Sequence, residues 1–241
     1  DPGAHAGDPA DAFDVIVPSV PGFGFSDRPG RGMTRSRVAG LWARLMEGLG
    51  YARYALHAND IGAVISGWLS YDAPERVIAL HTLMPTFPGP VIGEDAQPLT
   101  AAERAFEEVE ARWMREEAGY NAIQETRPQT LAYGLHDSPA GLAAWIVEKW
   151  RAWTDPAGDV ERYFSRDLLL ANVTLYWVTE TANAANRSYY ERAREPRRMT
   201  TRINVPTGVA LTREEVQHPP RERAERGYAD IRRWVELPRG G

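Results

Sequence analysis

The stretch Arg53-Tyr-Ala-Leu-His-Ala-Asn-Asp-Ile-Gly-Ala-Val-Ile-Ser-Gly-Trp68 constrains this chain more than any other. A short apolar run at 54–56 leads into Ala58, Asn59, Asp60, Ile61 and Gly62, after which Val64, Ile65, Trp68 and Leu69 recur at helical spacing. The pattern predicts a strand, a sharp turn and a helix, with Asp60 at the tip of the turn. Small residues two before and two after Asp60 suit a strained backbone that passes close to its neighbours. A carboxylate presented in this way can act as a nucleophile. The competing reading is that Asp60 merely caps the helix that follows, a task aspartate performs well.

The same unit recurs on either side. Residues 13–20 form a nearly continuous apolar run rich in β-branched residues, the pattern of a strand buried on both faces of a parallel sheet. A Gly/Pro-punctuated loop follows at 21–29. Thr34 then offers a cap to a helix with apolar positions Val38, Leu41, Leu45 and Leu49, stopped by Gly50. Strand at 53–58, helix at about 61–72 and strand at 77–83 complete an alternation that requires right-handed parallel crossovers. The fold class is α/β.

Beyond the proline-rich segment at 85–98 the periodicity becomes helical over Leu99 to Glu117, Ser138 to Trp153 and Leu168 to Arg194, with many Trp and Tyr residues. Strand character returns at Ile203–Leu211 and at Arg232–Leu237, separated by a short amphipathic segment. A helical insertion between the strands of an α/β core is a natural lid over an active site. The expected division is a core over 1–90, a helical cap over 91–198 and a second core segment over 199–241.

Composition narrows the functions. The 33 acidic residues exceed the 28 basic ones, giving a net charge of −5, and the basic residues are interspersed rather than clustered. Nucleic acid is therefore not an expected partner. With no cysteine, thiolate nucleophiles, thiolate metal sites and disulfides are excluded. No apolar run approaches the ~18 residues of a membrane span and no signal-peptide pattern opens the chain, so a soluble, cytoplasmic protein is expected.

These residues resemble the epoxide hydrolases of the α/β-hydrolase superfamily, in the branch that includes microsomal, juvenile-hormone and fungal enzymes. The resemblance rests on Val17-Pro-Ser-Val-Pro-Gly-Phe-Gly-Phe-Ser-Asp27, on the Asp60 elbow, and on the segments 119–130 and 137–149. It implies an α/β-hydrolase core of mostly parallel strands with a helical cap, and hydrolysis of a small apolar epoxide by water to a diol without metal or organic cofactor. Membrane attachment is not implied, and a homodimer is left open. It places the nucleophile on Asp60, an oxyanion-stabilising backbone N–H on Ile61, and two tyrosines that donate to the epoxide oxygen on Tyr120 and on Tyr189 or its neighbour Tyr190. The acid that orients the general-base histidine falls on Glu215, with Glu214 beside it.

The chain also departs from that pattern. In the family the general base follows a Gly-Gly pair, and here Gly240-Gly241 are the last residues; the loop supplying a second oxyanion donor and the first strands would precede Asp1. The expectation is a chain truncated at both ends. None of the five histidines, His5, His57, His81, His136 and His218, fits the missing role by position. Ile61 also stands where many relatives carry Trp. Two other readings remain: a haloalkane dehalogenase-like hydrolase, disfavoured by Ile61 and the tyrosines, and a non-catalytic relative that holds an apolar ligand in the cap pocket.

Overall fold

A computed structural model describes residues 2–85, 98–154, 158–212 and 218–238. Helix α1 (Arg35–Gly48) precedes strand β1 (Tyr54–Ala58), helix α2 (Asp60–Asp72) and strand β2 (Val77–Thr82). Strands β3 (Thr207–Thr212) and β4 (Ile231–Leu237), separated by the short α9 (Arg221–Glu225), complete a parallel sheet of order β1-β2-β3-β4. Leu80 stands at the centre of the register, opposite Leu56 on one side and Thr207 on the other. Helices α1 and α2 cover one face, and Val38, Ile65, Trp68, Leu80, Ile203 and Tyr228 meet beneath them. Burial of Ile65 and Leu80, both essentially inaccessible, stabilises the fold by about 1.5–3 kcal/mol each.

Among the described residues, six α-helices lie between β2 and β3: α3 (Ala101–Glu116), α4 (Gly119–Thr126), α5 (Pro128–Asp137), α6 (Pro139–Thr154), α7 (Arg166–Thr179) and α8 (Ala182–Arg192). They have a core of their own, in which Leu135, Leu142, Val173 and Ala182 pack with Trp145, Ile146, Tyr176 and Trp177. Polar pairs join α8 to its neighbours: Gln124 Nε2 donates to Asn186 Oδ1 at 2.7 Å, and Asn183 Nδ2 to Gln129 Oε1 at 3.0 Å. No helix among the described residues is long and apolar enough to cross a membrane.

Several expectations are corrected. Residues 13–20 are not a buried strand: they pair with no described strand, and Phe13, Val15 and Val17 are 77–85% exposed. An apolar run records what a segment tends to bury, but a strand also needs partners for its backbone groups, and β1 is the edge of the described sheet. The helix expected over Leu168–Arg194 is broken at Glu180, whose φ of 52° is left-handed. There the Thr179 and Thr181 hydroxyls lie 2.8 Å apart, and Arg28 donates to the Thr179 carbonyl at 2.6 Å, satisfying an end group of α7. Helices α4 and α5 were not anticipated as separate elements; Pro128 begins α5 at a position where its missing N–H has no cost. Strand β3 starts at Thr207 rather than Ile203, because Pro206 cannot donate to a ladder, although its carbonyl accepts from Leu80.

The insertion is tied to the core at Glu103. This side chain is fully buried on α3, closes a reciprocal cap with Thr100, and receives two N–H groups of Arg226, which follows α9. The guanidinium holds the Glu103 carboxyl below its ordinary value of 4.5, so the ionised form favours folding. That stability is complete above pH 4.5 and is lost as the pH falls through the lowered value. Glu103→Gln is expected to destabilise the protein by on the order of 3 kcal/mol at pH 7. Thermal melts should show the gap from wild type closing below pH 4.5; a gap independent of pH would contradict this account of the pair.

Candidate active site

The turn at the carboxyl end of β1 carries the geometry its sequence predicts. Asn59, not Asp60, caps α2: its side-chain oxygen accepts from the Asp60 N–H at 2.8 Å. Asn59 therefore holds the cap position, and Asp60 is the first residue of α2. Asp60 itself has φ of 47°, a left-handed conformation that costs a non-glycine residue roughly 1–3 kcal/mol and here turns the side chain out of the helix. The crowding expected around it is mild, since a Cβ placed on Gly62 would stand 3.8 Å from the Ala58 Cβ, an ordinary contact.

Asp60 and Ile61 face a cavity of about 810 Å³ between the core and the inserted helices. Its walls are rich in aromatic residues, among them Trp68, Trp113, Trp145, Trp150, Trp153 and Phe164. Solvent reaches Asp60 through the cavity, but the carboxyl is enclosed enough that desolvation raises its pKa above the ordinary 3.8. The charges of Arg35 and Arg192 and a hydrogen bond from the Ile61 N–H pull the other way.

Tyr120 on α4 and Tyr189 on α8 line the same cavity. Their rings meet edge to face at 6.0 Å. Burial first, and then the negative charge of Asp60, push the Tyr120 hydroxyl up to about 12 and raise that of Tyr189 as well. Both are therefore protonated donors at neutral pH. Tyr190 does not line the cavity; the Arg194 guanidinium sits 3.4 Å above its ring. Of the two neighbours that the sequence left open, Tyr189 is the one that lines the cavity.

Other cavity residues carry no distinguishing mark in the sequence. Tyr176 on α7 is a third lining tyrosine, its pKa raised by burial and by Asp60. Arg192 pairs with Glu125, donates to Asn121 Oδ1 at 3.1 Å and stands 5.7 Å from the Tyr189 ring centre. Arg35, at the start of α1, is 5.9 Å from the other side of that ring system and is buried. Thr34 occupies the cap position of α1 without a capping hydrogen bond from its side chain. Glu195, beyond α8, supplies that function by accepting the Ser36 N–H at 3.1 Å, and Glu191 accepts the Gly32 N–H at 2.9 Å. Two acids flanking the end of α8 thus hold it against α1, where orphan N–H groups favour negative charge.

Glu214 and Glu215 lie outside the described residues. No histidine lines the cavity among the described residues: His57 and His81 stack on the sheet with Nδ1 atoms 2.8 Å apart, and His136 accepts from the Asn183 N–H. No cluster of three or more metal-ligating side chains is found among the described residues.

A left-handed aspartate at a strand-to-helix turn, beneath a helical insertion, agrees with comparison to known proteins. The profile of the alpha/beta hydrolase fold matches residues 6–128, just over half of the chain. The chain belongs to the α/β-hydrolase family. Over its full length it is 40% identical to a Stigmatella aurantiaca protein provisionally named an epoxide hydrolase, covering 54% of that protein. It is 31% identical to epoxide hydrolase 1 of Sus scrofa, covering 100% of this chain and 58% of that one. The crystal structure of juvenile hormone epoxide hydrolase from the silkworm Bombyx mori superposes with a TM-score of 0.76 at 30% identity, over 92% of this chain and 53% of that one. The chain thus spans about half the length of the curated relatives it matches.

If the acids at the end of α8 fix the height of Tyr189 in this hydrolase cavity, Glu195→Ala is expected to cost about 1 kcal/mol in a thermal melt. It should also weaken any activity that depends on Tyr189, with no further loss when added to Tyr189→Phe. Additive losses in the double variant would separate Glu195 from the tyrosine.

Proposed function

We propose that the whole protein hydrolyses apolar epoxides to vicinal diols, with residues 1–90 and 199–241 forming the core and 91–198 the cap. The observation that carries this reading is a carboxylate at a strained turn facing two protonated tyrosines across one apolar cavity. An Asp60 oxygen attacks an epoxide carbon, forming an ester as the C–O bond of the ring breaks. The electron pair passes to the epoxide oxygen, which takes a proton from Tyr120 or Tyr189. Water then attacks the ester carbonyl, and the Ile61 N–H, already directed at the Asp60 carboxylate, stabilises the oxyanion. A base takes the proton of this water, and collapse of the oxyanion breaks the bond between the acyl carbon and the substrate-bound oxygen to release the diol and the free Asp60 carboxylate. The proton passes from the base to the tyrosinate; we assign Glu215 the part of orienting that base. The tryptophan-rich wall favours apolar substituents on the substrate.

Two hydroxyl donors suit an oxygen anion that must be protonated, which is the specific support for an epoxide over an alkyl halide. In the whole protein, Asp60→Asn is expected to abolish both diol formation from styrene oxide and covalent adduct. An ester-linked substrate detected by mass spectrometry in that variant would show that the nucleophile lies elsewhere, and halide release from a chloroalkane without diol formation would make the protein a dehalogenase. Tyr120→Phe and Tyr189→Phe are each expected to slow alkylation by on the order of 100-fold in single-turnover kinetics. Undiminished alkylation in both would remove the tyrosines from the mechanism.

A further inference from the structure

Arg35 presents an unusual electrostatic situation. Its side chain is 3% exposed, and among the described residues its Nε has no hydrogen-bond partner while its Nη2 donates to Ser188 Oγ at 3.3 Å. Burial lowers its pKa to about 10, which still leaves it charged at neutral pH. A buried guanidinium normally pairs with a carboxylate, because desolvation is otherwise uncompensated. Among the described residues neither Arg35 nor Asp60 forms an ion pair within 4.0 Å, although both line the same cavity. The other charges there are engaged: Arg192 by Glu125, Lys149 by Glu148, and Glu195 by the Ser36 N–H. Glu191, behind Tyr189, takes the Gly32 N–H and stands 4.0 Å from Arg187. The neutral titratable groups facing Asp60 are Tyr120, Tyr176 and Tyr189.

We propose that Arg35 is a positioning residue, a fixed cation facing both Asp60 and Tyr189, which keeps Asp60 ionised before attack and supports negative charge gathering beside Tyr189 as the ring opens. The inference rests on Asp60 being the nucleophile. During alkylation one negative charge leaves the carboxylate and arrives on the epoxide oxygen, where the tyrosine proton neutralises it; Arg35 neither gives nor takes a proton. A cation near only the nucleophile would stabilise the ground state and slow attack. One that also faces Tyr189, 5.9 Å from its ring centre, keeps part of its interaction as the charge moves. The plainer alternative is that Arg35 only anchors α1 to α8 through Ser188.

The test is a titration of the Asp60 carboxyl in the intact protein without epoxide, by infrared difference spectroscopy against Asp60→Asn. In R35Q and R35M the midpoint should rise by about one pH unit, and R35K should restore it. The acidic limb of single-turnover alkylation should move by the same amount. An unshifted midpoint in a folded neutral variant overturns the proposal, since a purely structural anchor would not govern Asp60 ionisation. R35K gives a second measurement should the neutral variants fail to fold: adding Asp60→Asn should lower the midpoint of its new amine, read by NMR, and an unchanged midpoint also overturns the proposal. Both titrations are independent of substrate. A shifted midpoint without alkylation therefore contradicts the hydrolase reading alone, while alkylation with an unshifted midpoint contradicts the role of Arg35 alone.

Discussion

Carboxylates at the N-terminal end of α1 decide where the cap stands over the core. A helix begins with N–H groups that have no partner inside it, and the side chain of Thr34 leaves them unserved. Glu195, just beyond α8, reaches one of them at the Ser36 amide, and Glu191 on α8 accepts the Gly32 amide ahead of the helix. Tyr189 sits two residues before Glu191, so the same contacts fix its height above Asp60. At the far side of the insertion, Glu103 and Arg226 perform a similar task between α3 and the segment before β4. The cavity is therefore held open between two charge-assisted attachments, with its aromatic walls supplied by helices that pack on their own core.

The site sets a carboxyl group against neutral hydroxyls by placing them in different electrostatic surroundings. Desolvation raises the pKa of Asp60, and the backbone N–H of Ile61 together with two guanidinium groups pulls it back. The same burial, reinforced by the Asp60 charge, keeps Tyr120 and Tyr189 in the donor form. One chamber thus holds a carboxyl group and neutral hydroxyls whose pKa values are pushed by the same burial and by one another. The left-handed backbone at Asp60 adds a conformational cost that the surrounding strand and helix sustain, as expected where presentation of a side chain outweighs local comfort.

The elbow was legible because two periodicities meet there, and β1, α2 and β2 lie within a residue or two of where those periods place them. Tyr120 and Tyr189 came from resemblance rather than pattern, and the fold brings both to the cavity. What the residues could not show was long-range. Residues 13–20 have the composition of a buried strand, yet strand formation depends on neighbours that composition does not encode. The break at Glu180 depends on Arg28, some 150 positions earlier, meeting the end of α7. Arg35 is one of several arginines around α1, and only the packing of α8 distinguishes it by burial. The Thr100–Glu103 cap is a local pairing, whereas the further partner Arg226 lies 123 positions away and only the fold brings it in.

The central claim is that water attacks an ester on Asp60 and never the epoxide itself. A single turnover of the whole protein with epoxide in water enriched in oxygen-18, followed by mass analysis of the diol and of the peptide bearing Asp60, tests it most directly. The account predicts an unlabelled diol in that first turnover and one heavy oxygen in the Asp60 carboxylate. A labelled diol with an unlabelled Asp60 would contradict it.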